Sequence, residues 1–336
     1  MIALAALIYI ATKPKTVTGV AQTNVHANRT QSKPVQVKTG ITDTWTGKGK
    51  TINWSDPGNW SNGTPGNGDS LVFGAISGVM STNNDLSGVA LKSLTFLGGP
   101  SSGSNQIIVS GNNVSLSGGL NDNTTSSVSV DFNTGFVLTA SQTFSIHSTF
   151  GVDPSSSPDL AGTVVNVGKY NLTVTGFSNS ATTFNSLSGS GQLIVNLSQD
   201  NTGSFTINQA SPDYSGSSQI GSGTLTIDTV QSLGSGTIGV SNGAQLVIAS
   251  SGSNGSDMTN NMTIAGNGPN SYGAVVVSDN STSFTMLGTV SLSANATFGF
   301  MNQLGSLEPG QVVLVNKPST NGFALTGTDQ TTIAVQ

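Results

Sequence analysis

From Trp45 to its last residue the chain holds no amphipathic helical pattern over eleven residues; its apolar residues come in short runs, most of them alternating. LKSLTFLG (91–98), QIIVSG (106–111), SVSVDF (127–132), TVVNV (163–167), NLTVTGF (171–177) and AVVVSD (274–279) are such runs, punctuated by Gly, Asn and Ser. Period-two alternation puts every second side chain on one buried face, which is the geometry of a strand. The class this dictates is all-β.

The runs also recur. LSGSGQLIV (187–195), IGSGTLTI (220–227) and LGSGTIGV (233–240) share an apolar residue, a Gly-Ser-Gly turn and an alternating strand. VSNGAQLVI (240–248) follows with an Asn-Gly turn, and AGTVVNV (161–167) and LGTVSLS (287–293) are weaker echoes. Strands about 10–13 residues apart, with turns at matching places, suit a solenoid in which each coil stacks on the last and Gly or Asn takes the corners. The expected architecture is a right-handed parallel β-helix of about a dozen coils, about 20–25 residues each. The repeat is imperfect and its period drifts, so a tandem β-sandwich stands as the alternative.

Charge is scarce, 7% of residues against about 25% in ordinary soluble domains. A chain with 43 glycines and so few charges must satisfy its polar groups through backbone ladders and turns. There is no cysteine, hence no disulfide, thiolate metal site or cysteine nucleophile. Seven of the ten basic residues (Lys13, Lys15, Arg29, Lys33, Lys38, Lys48, Lys50) lie in the first fifty positions, opposed there only by Asp43. The remainder is acidic, which argues against a nucleic-acid partner.

Four segments follow from these textures. Residues 1–11 contain an apolar run, Ile2 to Ala11, too short to span a membrane as a helix. It reads as an export signal or membrane tether, or as an assembly segment that buries Ile2, Leu4, Leu7, Ile8, Tyr9 and Ile10 against a neighbouring copy. Residues 12–42 are a polar, basic linker, residues 43–100 a Trp-rich opening or cap segment, and residues 101–336 the β-solenoid body.

The block from Tyr214 to Ile248 (YSGSSQIGSGTLTIDTVQSLGSGTIGVSNGAQLVI) resembles one copy of the repeat of the autotransporter-associated β-strand repeat proteins. Asn260 to Phe300 is similar to the segment that follows such a copy, and W45-TGKGKTI-N53-W54-SDPG-N59-W60 to the block that opens the β-rich region. The resemblance implies a parallel β-helix on the cell surface or outside the cell; the unpaired strand edges at a solenoid's ends favour self-assembly into a filament or lattice, with cell-surface glycans as the alternative partner. No membrane-barrel pattern lies within the sequence, so fold and location are implied more strongly than an export route.

Candidate chemistry is sparse. Trp45, Trp54 and Trp60 stand beside Asn53, Asp56, Asn59 and Asp69, a grouping that suits either sugar stacking or a cap over the open end of the core. A polysaccharide-degrading enzyme needs clustered carboxylates, with a cation beside them in many cases. Here only Asp153 and Asp159 pair up, in one Pro/Ser loop that could hold Ca²⁺ weakly, with Lys169 the nearest cation in sequence. The two histidines, His26 and His147, make no Ser-His-Asp set with neighbouring residues. Asn-x-Ser/Thr sequons, such as Asn113, Asn171 and Asn295, are as frequent as this composition yields by chance. The expectation is a non-enzymatic structural protein with no catalytic residue, cofactor or metal; an adhesin is the alternative. Intact mass and N-terminal sequencing of the native protein separate the two readings of the apolar run. An export signal gives a start near Gln22, whereas an assembly segment is retained.

Overall fold

The computed structural model describes residues 40–75, 77–99, 105–125, 127–152, 163–176, 181–198, 203–249, 257–278, 283–302 and 306–336. The apolar run from Ile2 to Ala11, nearly all of the linker, His26, and the loop of Asp153 and Asp159 lie outside these residues. The described part is a parallel β-solenoid of about ten turns. Its only helical turns are two three-residue 3₁₀ segments, Pro57–Asn59 and Pro269–Ser271. Every ladder between named strands is parallel, which excludes the antiparallel sandwich.

Each coil contributes one strand to each of several columns. The first column starts with Thr42–Trp45, Ser70–Phe73, Ser93–Leu97 and Leu120–Asn123 and runs on to the N-terminal part of Val290–Phe300. The second starts with Val79–Asn84, Asn105–Gly111 and Val128–Phe132 and ends at Leu325–Gly327. A third column, Ala90–Leu91 to Ser186–Gly189, covers the other side over the early coils. Ser283–Met286, Gly310–Leu314 and Thr331–Val335 form a separate three-stranded sheet in the last coils. The coils therefore begin at the first strand, Thr42–Trp45, so the 43–100 segment already contributes coils. Ten coils about 4.8 Å apart make a stack of roughly 48 Å, somewhat shorter than a dozen coils would give. Their lengths run from about 20 to 30 residues, wider than expected, with the irregularity taken up at corners.

Register decides the core. Leu71, Leu94, Leu120, Phe144, Val174, Val195, Ile220, Val240, Ile264 and Leu292 pair successively down the first column, and all are buried. In the second column Phe205, Leu225, Leu246, Val275 and Phe298 make a row, and Ile207, Ile227, Ile248, Val277 and Phe300 the row beside it. Over the early coils the filling is aromatic: Phe73 stacks on Phe96 at 5.0 Å, and Phe132, Phe136, Phe144, Phe184 and Phe205 continue the contacts. Later coils fill most of the same space with Leu, Ile and Val, until Phe298 and Phe300 in the last rows.

The Gly-Ser-Gly turns have a steric cause. A Cβ on Gly191 would fall on the carbonyl of Tyr170, one on Gly216 on that of Gly191, and one on Gly236 on that of Gly216. Successive coils thus press backbone on backbone at this corner, leaving no room for a side chain. Between them sits Tyr214, fully buried, whose hydroxyl accepts from Leu193 N–H at 3.0 Å and donates to Ser217 O at 2.8 Å. Asn260 closes the same corner by donating to Gly234 O (3.0 Å) and Gly236 O (2.7 Å).

Leu225→Asp places an unpaired carboxylate in the row between Phe205 and Leu246, and a loss of at least about 3–5 kcal/mol is expected. Thr226→Asp, one residue on and half-exposed, is expected to retain the fold. Gly216→Ala should cost about 1–3 kcal/mol from overpacking. Urea denaturation followed by circular dichroism ranks the three; a more damaging Thr226→Asp would mean the opposite register.

Candidate functional site

A solenoid is complete along its sides and unfinished at its ends, where its backbone groups lack a next coil. At the N-terminal end the chain folds a lid over the first coil. Asp56 caps the 3₁₀ turn: one carboxylate oxygen accepts from Gly58 N–H (3.0 Å), the other from Lys50 N–H (2.8 Å), Thr51 N–H (3.1 Å) and the Thr51 hydroxyl (3.1 Å). These donors, the Gly58 N–H foremost, hold the Asp56 carboxyl below the usual value against the opposing effect of desolvation. Buried Asn59 ties the loop together, donating to Thr51 O and Asn53 O at 2.9 Å each and accepting from Gly49 N–H at 2.9 Å.

The three indoles fill the space beneath. Trp54 is fully buried, Trp60 nearly so, and Trp45 half-buried. Trp60 meets Trp45 edge-on at 5.0 Å and Trp54 at 5.9 Å, and all three rest on Phe73. Trp60 Nε1 donates to Trp54 O at 2.8 Å. Two ring faces that a sugar would need are therefore spent on the core, and only Trp45 reaches an open groove of about 370 Å³ beside Ile52, Val79 and Met80.

The lid also occupies the edge of the first strand. Thr46 N–H donates to Asn59 O (2.7 Å) and Ser61 N–H to Thr44 O (2.9 Å), an antiparallel seal on an otherwise unpaired edge. Buried Asp43 holds the far end through the Ser61 hydroxyl (2.9 Å) and Asn62 N–H (2.8 Å), and Asp69 accepts from Ile41 N–H (3.0 Å) and Gly66 N–H (2.9 Å).

The second column is sealed less fully. In a parallel ladder, alternate residues turn both backbone groups to the same neighbour. Gln106 N–H donates to Gly78 O (3.0 Å) and Asn112 N–H to Asn84 O (2.7 Å), so the even positions of Val79–Asn84 face the next coil. Among the odd ones, Asn83 pairs with Ile52 and Trp54. Val79, 65% exposed, and Ser81 have no backbone partner among the described residues.

No such lid covers the last coil among the described residues. Gly310 N–H donates to Gln330 O (3.2 Å) and Gln336 N–H to Leu314 O (3.0 Å), which leaves Ile333 and Val335 turned outward. By the same parity Leu325 turns outward from Leu325–Gly327. Val335 is 52% exposed.

Along the sides, the titratable groups serve corners. Asp122 is fully buried and accepts from Thr124 N–H (3.1 Å), the Thr124 hydroxyl (2.7 Å), His147 N–H (3.3 Å), Ser148 N–H (3.0 Å) and the Ser148 hydroxyl (2.6 Å). This brings a Ser, a His and an Asp together, which adjacency in the sequence did not reveal. The geometry is not that of a nucleophile set. Ser148 is buried and bonded directly to the carboxylate, while His147 Nδ1 lies 2.6 Å from the Asp122 carbonyl rather than from the Ser148 hydroxyl. Lys169 lies 5.6 Å over the ring of Tyr170. Among the described residues no three His, Asp or Glu side chains are grouped to hold a metal. No protein-family model matches the chain, and no curated protein or solved structure matches it.

All three tryptophans lie in the lid or directly beneath it, so tryptophan fluorescence reads this end of the solenoid. A carboxylate held low in the folded state contributes fully above the ordinary carboxylate range, and its contribution is lost as pH falls through the lowered value. The Trp emission of the native chain should therefore shift red at the acid end of that range, and Asp56→Asn should flatten this response. An acid limb unchanged by Asp56→Asn would assign it to other groups.

Proposed function

We propose that this chain is a non-enzymatic structural subunit of the cell exterior that associates end to end with copies of itself. The observation that carries the reading is the edge left unpaired at each end of the second column. The second column is open at both: at Val79 and Ser81 on one side and at Leu325 on the other. The two edges belong to one column and run in one direction, so a second copy can extend the ladder without a turn. Such a head-to-tail contact repeats without closing, which builds a filament. Exposed Lys48 and Lys50 flank the lid while exposed Asp329 lies beside the open end, which gives the docking opposite signs.

The exterior location rests on the likeness of Tyr214 to Ile248 to autotransporter-associated β-strand repeats and on the charge-poor, cysteine-free composition. Retention of Ile2, Leu4, Leu7, Ile8, Tyr9 and Ile10 in the mature chain would give the polymer a second, apolar contact. An adhesin that uses Trp45, Trp54 and Trp60 on cell-surface glycans is the weaker reading, because two of the three indoles are buried in the lid.

Negative-stain imaging and sedimentation velocity test the assembly. The native chain should form linear oligomers that lengthen with concentration. Leu325→Pro removes an outward donor of the open second-column edge and Ile333→Pro one of the neighbouring three-stranded sheet in the last coil, neither at the cost of an internal hydrogen bond, and Val335→Lys puts a charge beside Ile333. Each should leave the circular dichroism unchanged and shift the population to monomers by about tenfold or more. A native chain that stays monomeric at about millimolar concentration would overturn the proposal.

A further inference from the structure

One corner of the late coils differs from the rest. Between the first and second columns, successive coils present Asn242, Asn267 and Asn295 around an open groove of about 460 Å³, and Phe323 closes its far end. Gly266 and Gly268 form the floor, both at positive φ (82° and 64°). A Cβ on Gly266 would strike Asn242 Oδ1, so glycine keeps that amide and the floor clear. The Phe323 ring is 40% exposed, unlike the phenylalanines of the spine.

The three amides are fixed to different degrees. Asn267 Oδ1 accepts from the Thr297 hydroxyl at 2.7 Å, and Asn295 Oδ1 accepts from Ala324 N–H at 3.0 Å. Each is thereby oriented with its NH₂ group left to donate, while the exposed Asn242 offers both a donor and an acceptor. The groove therefore offers amides from three successive coils with an aromatic ring at its end. It contains no charged residue.

We propose that this corner binds a short stretch of a neutral oligosaccharide. Hydroxyls that donate and accept match amides that do the same, and the C–H face of a sugar ring packs on an exposed phenyl ring. The absence of Lys or Arg from the lining gives a phosphate, sulfate or uronate no ion pair to repay its desolvation. The site lies on a side corner away from Ile333 and Val335, but its Phe323 is two residues from the outward edge at Leu325, so binding has to be read separately from end-to-end association.

The test is isothermal titration of the full chain with cello-, manno- and galacto-oligosaccharides, with oligogalacturonate as the anionic comparison. At least one neutral series should bind with Kd of about 0.1–1 mM, and Phe323→Ala and Asn242→Ala should each weaken it by about tenfold or more. Trp45→Ala, at the opposite end, and Ile333→Pro should leave it unchanged. Ile333→Pro thus separates loss of this site from loss of assembly. The proposal is overturned if no neutral oligosaccharide binds at about 10 mM, if oligogalacturonate binds more tightly, or if both groove variants bind like the native chain.

Discussion

The whole structure depends on one constraint: each inward side chain lies directly on its counterpart one coil away. Parallel in-register pairing enforces this, since a slip of one residue would turn a whole strand inside out. Leu71 to Leu292 is a single unbroken row because every pairing in the first column obeys the rule. Coil length is free to vary as long as the register is recovered at the next strand. That freedom is used at corners, where pairings slip by one residue at Asn166/Gly168 and Val195/Asn196 and by two at Ile264/Gly266. Local burial is thus conserved while sequence spacing is not.

The same constraint explains the buried polar side chains. A strand that meets a corner brings backbone groups inward with no ladder partner, and an unsatisfied buried N–H or C=O costs about 1–3 kcal/mol. Gln142 answers this by accepting from Gly119 N–H (2.9 Å) and donating to Leu116 O (2.8 Å), and Gln245 by donating to Gly273 O (2.9 Å). Asp122, Tyr214 and Asn260 do the same elsewhere. Asp122 uses its carboxylate to hold the corner through Thr124, His147 and Ser148. Asp228 is a counterexample in kind: half-exposed, it gains no bond that favours its charge, and desolvation alone raises its pKa.

Much of this was legible in the residues. Period-two runs gave the class, and the alternation in GTLTI placed Leu225 and Ile227 inward correctly. The coil count was harder, because the Gly-Ser-Gly motif marks two different corners. LSGSG and LGSG precede first-column strands, whereas IGSG bridges Ser218–Ser222 to Thr224–Ile227 within one coil. Reading the three as equivalent mixes half-coil with full-coil spacing and makes the period drift. The Trp cluster announced the chain end, but its burial could not be read from composition: it depends on Phe73 lying underneath and on Asn59 and Asp56 folding the loop back. The amide row at Asn242, Asn267 and Asn295 gave no local signal, since its members are separated by whole coils and belong to dissimilar turns.

The constraint also dictates where function can reside on such a molecule. Inward positions are committed to the rows, and most outward positions on the strands are small polar residues with their backbone groups already paired. Only two kinds of place escape the ladder: its ends, where edge groups lack a neighbour, and its corners, where chain length is free. The lid spends a compact run of residues, with all three tryptophans, on closing most of one end, and among the described residues nothing comparable closes the other. Leaving Ile333 and Val335 uncovered on a β-edge is a liability unless something pairs with them. The edges left unpaired in the second column are what support the proposed end-to-end association, and the corners are the free surface on which the proposed ligand would be held.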